Sequence, residues 1–378
     1  FLIKWKGWSS EYNSWEREAS VTNCMSLVVR CCLEKSIHSS YRHDLMRWAL
    51  RLVCDSEKPD IMVLSQLVGH KVPVNGYISR KEVIDIRREG LKLLELSSKR
   101  LHRRLAEVFG SWEEFVKRVE ARREQAEVIK KWEEEINKAS GESCPLYVEN
   151  HVDLAEPPED FVYIRDFKPG PGIQFPEDPM VGCNCSDCFD CRKECCPVQA
   201  NAAFVYNKHG TLVANRGSAI FECNRRCKCS QDCPNRVVQK GRQVPLTIFR
   251  TPNDRGWGVR TERRIKKGTF LFEYLGEVIT DEEAERRGQV YDEQGITYLF
   301  DLDYDKKEEA IYTVDAGFYG NVSHFVNHSC ESNMTVYSVW INNLDHRMPR
   351  LAFFANRDIC CQEELTFDYK MSCEWHWF

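Results

Sequence analysis

The chain has 378 residues, 42% of them hydrophobic and 29% charged, with a formal net charge of −5. That length supports two or three domains with at least one sizeable core, and the acidic balance excludes a generic nucleic-acid binder, whose footprint is a strongly basic domain. No apolar run reaches the ~18 residues of a membrane span, so a soluble intracellular protein is expected.

Residues 1–23, FLIKWKGWSSEYNSWEREASVTN, read as two short aromatic-rich strands around a polar turn, too small to bury a core. With no initiating Met and no signal-peptide pattern, the sequence is expected to begin inside a domain. Residues 24–140 predict a helical, charged linker. Within it, 59–79 form an irregular connection marked by Pro59, Pro73 and two glycines. Residues 79–138 are dense in Lys, Arg and Glu, with Leu91, Leu94, Leu101, Leu105, Val108, Phe115, Val119, Ile129 and Trp132 near helical spacing. Two helices broken near Gly110 are predicted, solvated and amphipathic, with a partner-binding coiled coil as the alternative. From Pro145 the composition shifts to short β-like runs punctuated by Pro and Gly, leading into a cysteine block. Beyond Val244 come LTIF, WGVRT, TFLFEYLGEVI, TYLFDLDY, LAFFAN and ELTFDY, strand-like runs with one helix at DEEAERRGQVYD.

Of nineteen cysteines, ten fall between Cys183 and Cys233. Clustering of this kind favours metal over disulfides in a reducing compartment. The runs CNCSDCFDCRKECC and CNRRCKCSQDC space thiols one to three residues apart, which lets several converge on one point. Three zinc ions need about twelve ligand positions, which nine sulfurs supply if six bind one metal and three bridge two. The resulting charge of about −3 calls for cations, and Arg225, Arg226 and Lys228 are nearby in sequence. With no open coordination position, such a centre is structural.

These runs, followed by RGWGVRT, EYLGEVIT, FVNHSC and ELTFDY, resemble the pre-SET and SET domains of the Su(var)3-9 class of histone lysine methyltransferases, the histone-three lysine-nine type, over residues 145–371. The resemblance implies an α+β, mostly β fold: a SET-domain β-clip with a pseudoknot at 243–371, preceded by a zinc-cluster pre-SET region at 145–242 and the helical linker. It assigns Cys183, Cys185, Cys188, Cys195, Cys196, Cys223, Cys227, Cys229 and Cys233 to the three-zinc cluster, and Cys191 departs from the pattern as a tenth. It implies S-adenosylmethionine as methyl donor, cradled by Arg255, Gly256, Trp257, Tyr298, Asn327 and His328. Tyr369 is then the catalytic tyrosine, with Tyr274 and Phe367 lining a lysine channel and His328 also in the catalytic set.

Asn327 and His328 of NHSC are expected to face the donor while Cys330 turns outward to a further zinc, because neighbours in an extended turn point to opposite sides. Phe367, lacking a hydroxyl, implies di- and trimethylation. His324 stands where relatives outside this class carry Arg. Asp301, Asp303 and Asp305 could receive a basic peptide added as a strand. The resemblance further implies the histone tail and nucleosome as partners, other heterochromatin proteins beside them, no strong sequence-specific DNA binding, and a nuclear, heterochromatic and centromeric location with transcriptional repression.

FLIKWKGWSSEYNSWE resembles the second half of a chromodomain, with Trp5 and Trp8 at methyl-lysine cage positions and Trp15 in its core. At the other end, residues 372–378 diverge from the family's Cys-x-Cys-x4-Cys post-SET motif. Cys373 and His376 substitute poorly, so the further zinc is expected not to form in this chain. A non-catalytic chromatin adaptor that retains the zinc scaffold is the alternative to an active methyltransferase.

Overall fold

The computed structural model describes residues 39–54, 59–175, 179, 181–294, 298–302 and 311–369, together with 2, 3, 9, 11, 14 and 15. The chain divides into two compact units. One comprises Phe1–Pro73, Tyr77–Val128 and Asn150–Ala155, and the other Val74–Gly76, Ile129–Glu149 and Glu156–Phe378.

In the first unit a two-residue pairing joins β1 (Leu2–Ile3) to β2 (Ser14–Trp15), antiparallel, with Leu2 opposite Trp15. The cage candidates Trp5 and Trp8 lie outside the described residues. Helices then follow: α1 (Ser39–Val53), α2 (Ile61–Val68), α3 (Arg80–Lys92), α4 (Ser98–Phe109) and α5 (Trp112–Ser140), which belongs to the second unit from Ile129 onward. Two differences from the sequence reading stand out. The supposedly irregular stretch 59–79 contains α2, apolar except for Ser65 and Gln66 and largely buried as such a helix must be. Asp60 caps it by accepting from Val63 N, and Gly69, at φ 73°, ends it. The stretch 79–138 also forms three helices rather than two, because a break at Leu93–Ser97 adds to the one at Gly110.

Nor is this region a solvated linker. Ala49, Leu50, Val63, Leu64, Leu67, Leu101, Leu105 and Phe115 are each fully buried in a core of their own. Gly90 lets α3 approach α2 closely, since a Cβ there would lie 2.6 Å from Leu64 Cδ2. Most charges sit on the outer faces; Arg122 is a buried exception, donating to the Asn150 carbonyl and facing Asp60. Ser79 and Glu82 cap α3 reciprocally, and Arg88–Asp85 and Lys92–Glu89 pair one turn apart.

The second unit is strand-rich. One sheet runs β3 (Leu146–Glu149), β7 (Leu246–Arg250), β8 (Trp257–Thr261). A second runs β6 (Ile220–Phe221), β15 (Met334–Trp340), β16 (Arg350–Ala355), β9 (Phe270–Tyr274). A third runs β11 (Leu299–Asp301), β12 (Tyr312–Asp315), β10 (Glu277–Thr280), β5 (Lys168–Pro169). Two short parallel pairs complete it: β13 (Tyr319–Gly320) with β4 (Val162–Tyr163), and β14 (Asn327–His328) with β17 (Thr366–Phe367). Besides the single helical turn α6 (Cys196–Gln199), this unit adds α7 (Asp281–Gln294), whose first turn holds Asp281, Glu282 and Glu283 as the helix dipole favours.

Buried apolar residues from all three sheets, Val259, Leu271, Val314 and Phe353 among them, share one core with Leu365. The β14–β17 pair matters most for function. It sets Asn327 against Thr366 and His328 against Phe367, so the NHSC and ELTFDY motifs meet side by side.

Candidate active site and metal centre

In the cysteine block the thiols turn inward. Sγ of Cys188 lies 3.6 Å from Sγ of Cys223, Cys183 lies 3.8 Å from both, and Cys195 lies 3.5 Å from Cys223. A tetrahedron of ~2.3 Å Zn–S bonds has edges of about 3.8 Å, so these separations fit zinc. Three four-sulfur groups emerge: Cys183, Cys196, Cys223, Cys227; Cys183, Cys185, Cys188, Cys195; and Cys183, Cys188, Cys223, Cys229. Cys183, Cys188 and Cys223 are shared between groups, as bridging thiolates would be. Cys233 stands outside these groups but 4.0 Å from Cys223 Sγ. Cys191 packs beside the cluster, half-buried and in none of the groups.

The counter-charge is not where the sequence suggested. Arg225, Arg226 and Lys228 are at least partly exposed. Arg236 is buried instead, its guanidinium 3.6 Å from Cys229 Sγ and donating to the carbonyls of Cys223 and Asn224. Asn235, also buried, donates to Cys223 Sγ at 3.3 Å. Both follow directly on the last cysteine in CPNR, the signal that could have flagged them.

A cavity of about 580 Å³ opens in the strand-rich unit, and Tyr274, Tyr298, Phe300, His324, Phe367 and Tyr369 are among its walls. Ring centroids of Phe367 and Tyr369 are 4.5 Å apart, and those of Phe367 and Tyr274 6.4 Å. The Tyr274 hydroxyl donates to the Tyr298 carbonyl at 2.7 Å, and that of Tyr369 to the Val326 carbonyl at 2.5 Å. Burial pushes all three phenols above their usual range, so they remain protonated donors at neutral pH. Arg216 at the rim is outnumbered by Asp301, Glu331 and Asp368, which suits a basic guest. Asp301 also accepts from Thr313 Oγ1 at 2.8 Å, while Asp303 and Asp305 lie outside the described residues.

His324 is a wall of this cavity rather than an isolated core residue. Its ring stacks on Tyr298 at 4.3 Å and 7° and packs against Phe161 at 4.6 Å. Nδ1 lies 2.7 Å from the Ala316 carbonyl, an acceptor, so it carries the proton. Desolvation lowers its pKa to about 4, against the opposing pull of that bond, and the ring is neutral at pH 7.

The remaining site candidates gather behind the cavity wall. Asn327 Nδ2 donates to the Trp257 carbonyl and to Glu364, both at 3.1 Å, and Arg255 pairs with Glu364 at 2.7 Å. Gly256 has φ 72°, with nothing nearer than 3.7 Å to where a Cβ would stand. The partly exposed indole of Trp257 follows this turn and offers an aromatic face of the kind that attracts cations. Tyr298, read with this group from sequence, instead joins Tyr274 and Tyr369 in the cavity. Glu364, the first residue of ELTFDY, ties Arg255 to Asn327, a role that the motif's spacing does not signal.

His328 links the two groups, for its Nδ1 accepts from Tyr369 N at 3.1 Å. Its Nε2 is 3.3 Å from Cys330 Sγ, so His328 and Cys330 turn toward each other rather than to opposite sides. A single residue separates them, and along an extended chain residues i and i+2 share a face, so alternation itself puts His328 and Cys330 on one side and parts the adjacent Asn327 and His328 instead. Cys373 and His376 lie outside the described residues.

Family models match in three places: the SET domain at residues 256–370, the Pre-SET motif at 138–236 and the Chromo (CHRromatin Organisation MOdifier) domain at 1–30. The chain is 42% identical over 373 residues to histone-lysine N-methyltransferase SUV39H2 of Macaca fascicularis, covering 98% of this chain and 76% of that protein. It is 58% identical over 238 residues to SUV39H2 of Xenopus tropicalis, covering 63% of this chain but 57% of the relative. Among solved structures it resembles KRYPTONITE in complex with mCHH DNA, H3(1-15) peptide and SAH, at 32% identity and a TM-score of 0.53. That match covers 61% of this chain and 46% of the other. Among the described residues no helix is long and apolar enough to cross a membrane.

Proposed function

The chain belongs to the SUV39 family of histone-lysine N-methyltransferases, and from that premise we propose that it transfers methyl groups from S-adenosylmethionine to a lysine of the histone-three tail. The observation that carries this reading is the convergence of Tyr274, Phe367 and Tyr369 on one cavity whose wall adjoins the Arg255–Trp257 and Asn327 group.

A lysine ammonium, pKa ~10.4, costs about 4.6 kcal/mol to deprotonate at pH 7. The cavity lowers that cost: its rings desolvate the ammonium, and its phenols stay protonated, so no phenolate among them stabilises the charged form. The sulfonium donor, when bound, supplies the electrophilic methyl. Arg255, Gly256, Trp257 and Asn327 form the surface that would hold it, and Glu364 fixes two of them. Tyr274 and Tyr369 place hydroxyls, and the carbonyl oxygens they bond, around the approaching nitrogen. Their contribution is alignment, with His328 anchoring the Tyr369 backbone. The cysteine cluster would hold three zinc ions in a structural role, and Cys330 remains available to a further metal.

Lysine nine of the tail is the proposed target, with di- and trimethyl products because Phe367 leaves room beside the amine. The protein would then act in the nucleus at heterochromatin, on nucleosomes and beside other heterochromatin proteins. Radiolabelled transfer to histone-three tail peptides tests the activity, and a tail peptide with arginine in place of its ninth-position lysine tests the target. Label on the substituted peptide would move the target elsewhere, and no label on either would refute the transfer. Phe367→Tyr adds a hydroxyl to the channel and should shift the product toward monomethyl, read by mass spectrometry.

A further inference from the structure

The turn between β16 and β17 combines two features that neither the site nor the metal centre uses. Cys360 and Cys361 are adjacent and both exposed, whereas the cysteines of the metal cluster are buried or half-buried. Next to them Gln362 holds φ 65°, a left-handed conformation disfavoured for a residue with a Cβ. The turn is clamped on every side. Gln362 N donates to Thr261 O at 2.7 Å, Thr261 N to Glu363 O at 3.1 Å, and the Cys361 thiol to Glu262 O at 3.1 Å. The Glu363 carboxylate accepts from Cys360 N at 2.9 Å and from Asn333 Nδ2 at 3.0 Å. The next residue is Glu364, which holds Arg255 at 2.7 Å and Asn327 at 3.1 Å.

We propose that Cys360 and Cys361 form a redox modification site: peroxide closes them into a vicinal disulfide, and the distorted turn draws Glu364 away from Arg255 and Asn327. The step balances simply. One thiol is oxidised by hydrogen peroxide to a sulfenic acid with release of water. The second thiol attacks that sulfur, forms the S–S bond and releases a second water. Two thiols lose two electrons and two protons, and one peroxide becomes two waters.

The geometry says why the turn must move. Adjacent Cα atoms across a trans peptide are ~3.8 Å apart, below the ~4.4–6.8 Å usual for a disulfide. Closing the ring therefore twists the 360–361 peptide and pulls Cys361 Sγ off the Glu262 carbonyl. The displacement falls on Gln362, already in a disfavoured conformation, and passes to Glu363 and Glu364 within the same turn. A strained disulfide of this kind is readily reopened by a thiol reductant, which makes the change reversible.

The test uses the whole zinc-loaded chain, reduced and then treated with limiting hydrogen peroxide. Alkylation and peptide mapping should find the Cys360–Cys361 peptide two hydrogens lighter and unalkylated. Hydrogen exchange at residues 255–258 should rise on oxidation, reading the displacement without any ligand. Affinity for S-adenosylhomocysteine, by calorimetry, should fall about tenfold, the order expected from one lost charge-assisted hydrogen bond, and return with dithiothreitol. Cys360→Ser and Cys361→Ser, the latter keeping a donor for Glu262, should each abolish the response. Full alkylation of both thiols after peroxide would overturn the proposal. So would unchanged exchange at residues 255–258 once the disulfide has formed, or a response that persists in both serine variants. The affinity arm rests on the donor reading above: if the reduced chain fails to bind S-adenosylhomocysteine, that reading fails, while the peptide map and hydrogen exchange still decide the switch.

Discussion

The cysteine block and the helical unit are held together by opposite means. Around the clustered thiols the buried interior is sulfur: Cys183, Cys188, Cys195 and Cys223 are at most 1% exposed, and among the described residues only Phe204 packs with the cysteines. Val205, Tyr206, Leu212 and Ile220 of the intervening stretch join an apolar cluster with Phe270 and Phe354. In the helical unit the interior is Leu, Val, Ile, Trp and Phe, with charges paired on the outside. The lesson concerns where stability resides. A few dozen residues with little regular structure cannot exclude enough apolar surface to fold, so metal binding must supply the free energy, whereas five helices can rely on burial.

Metal removal should break that comparison most sharply. Chelation withdraws about 10 kcal/mol or more per structural zinc, so the 183–233 segment should lose its protection from hydrogen exchange while helices α2 to α5 keep theirs. Loss of protection in both would refute independent stabilisation. The reciprocal perturbation is Leu105→Ala, at a fully buried position in the helical core. A cost of about 2–5 kcal/mol is expected, with zinc content by atomic spectroscopy unchanged.

The aromatic cavity sharpens the comparison, since it is apolar in packing like the helical core yet built for chemistry like a ligand site. His324 shows the tension. Unfolded, its pKa is near 6.5, and folded it is lowered to about 4, so the folded state binds its proton more weakly. The stabilisation from keeping it neutral is whole above pH 6.5, declines as pH falls, and is gone below about 4. It amounts to about 3 kcal/mol, and His324→Phe should flatten the denaturation midpoint across that window. An unchanged slope would mean the ring is not held neutral. Smallest in stability but large in function, Tyr369→Phe removes one hydroxyl. Methyl transfer should fall about 100-fold, as misaligned reactants do, with the melting temperature nearly unaffected.

The sequence alone was enough for the sites whose information is local. Cysteines one to three residues apart converge wherever the chain turns, so the cluster was legible from spacing. The NHSC and ELTFDY motifs, with RGWG, were enough to identify the family. What spacing could not convey was which face of a charged amphipathic helix meets other helices: Leu101 and Leu105 look alike in a solvated linker and in a core. The largely apolar run of α2 was hidden between prolines and glycines.

Only the tertiary structure decided the rest, because it depends on residues distant in sequence arriving together. The β14–β17 pairing brings His328 to Phe367 and Tyr369, and so turns two motifs into one wall. Folding put the buried Arg236 beside Cys229 while Arg225, Arg226 and Lys228 kept their contact with solvent, placed Tyr298 in the cavity against His324, and set Glu364 between Arg255 and Asn327. Residue type determines what a side chain can do. Burial and long-range pairing determine which partner it does it with.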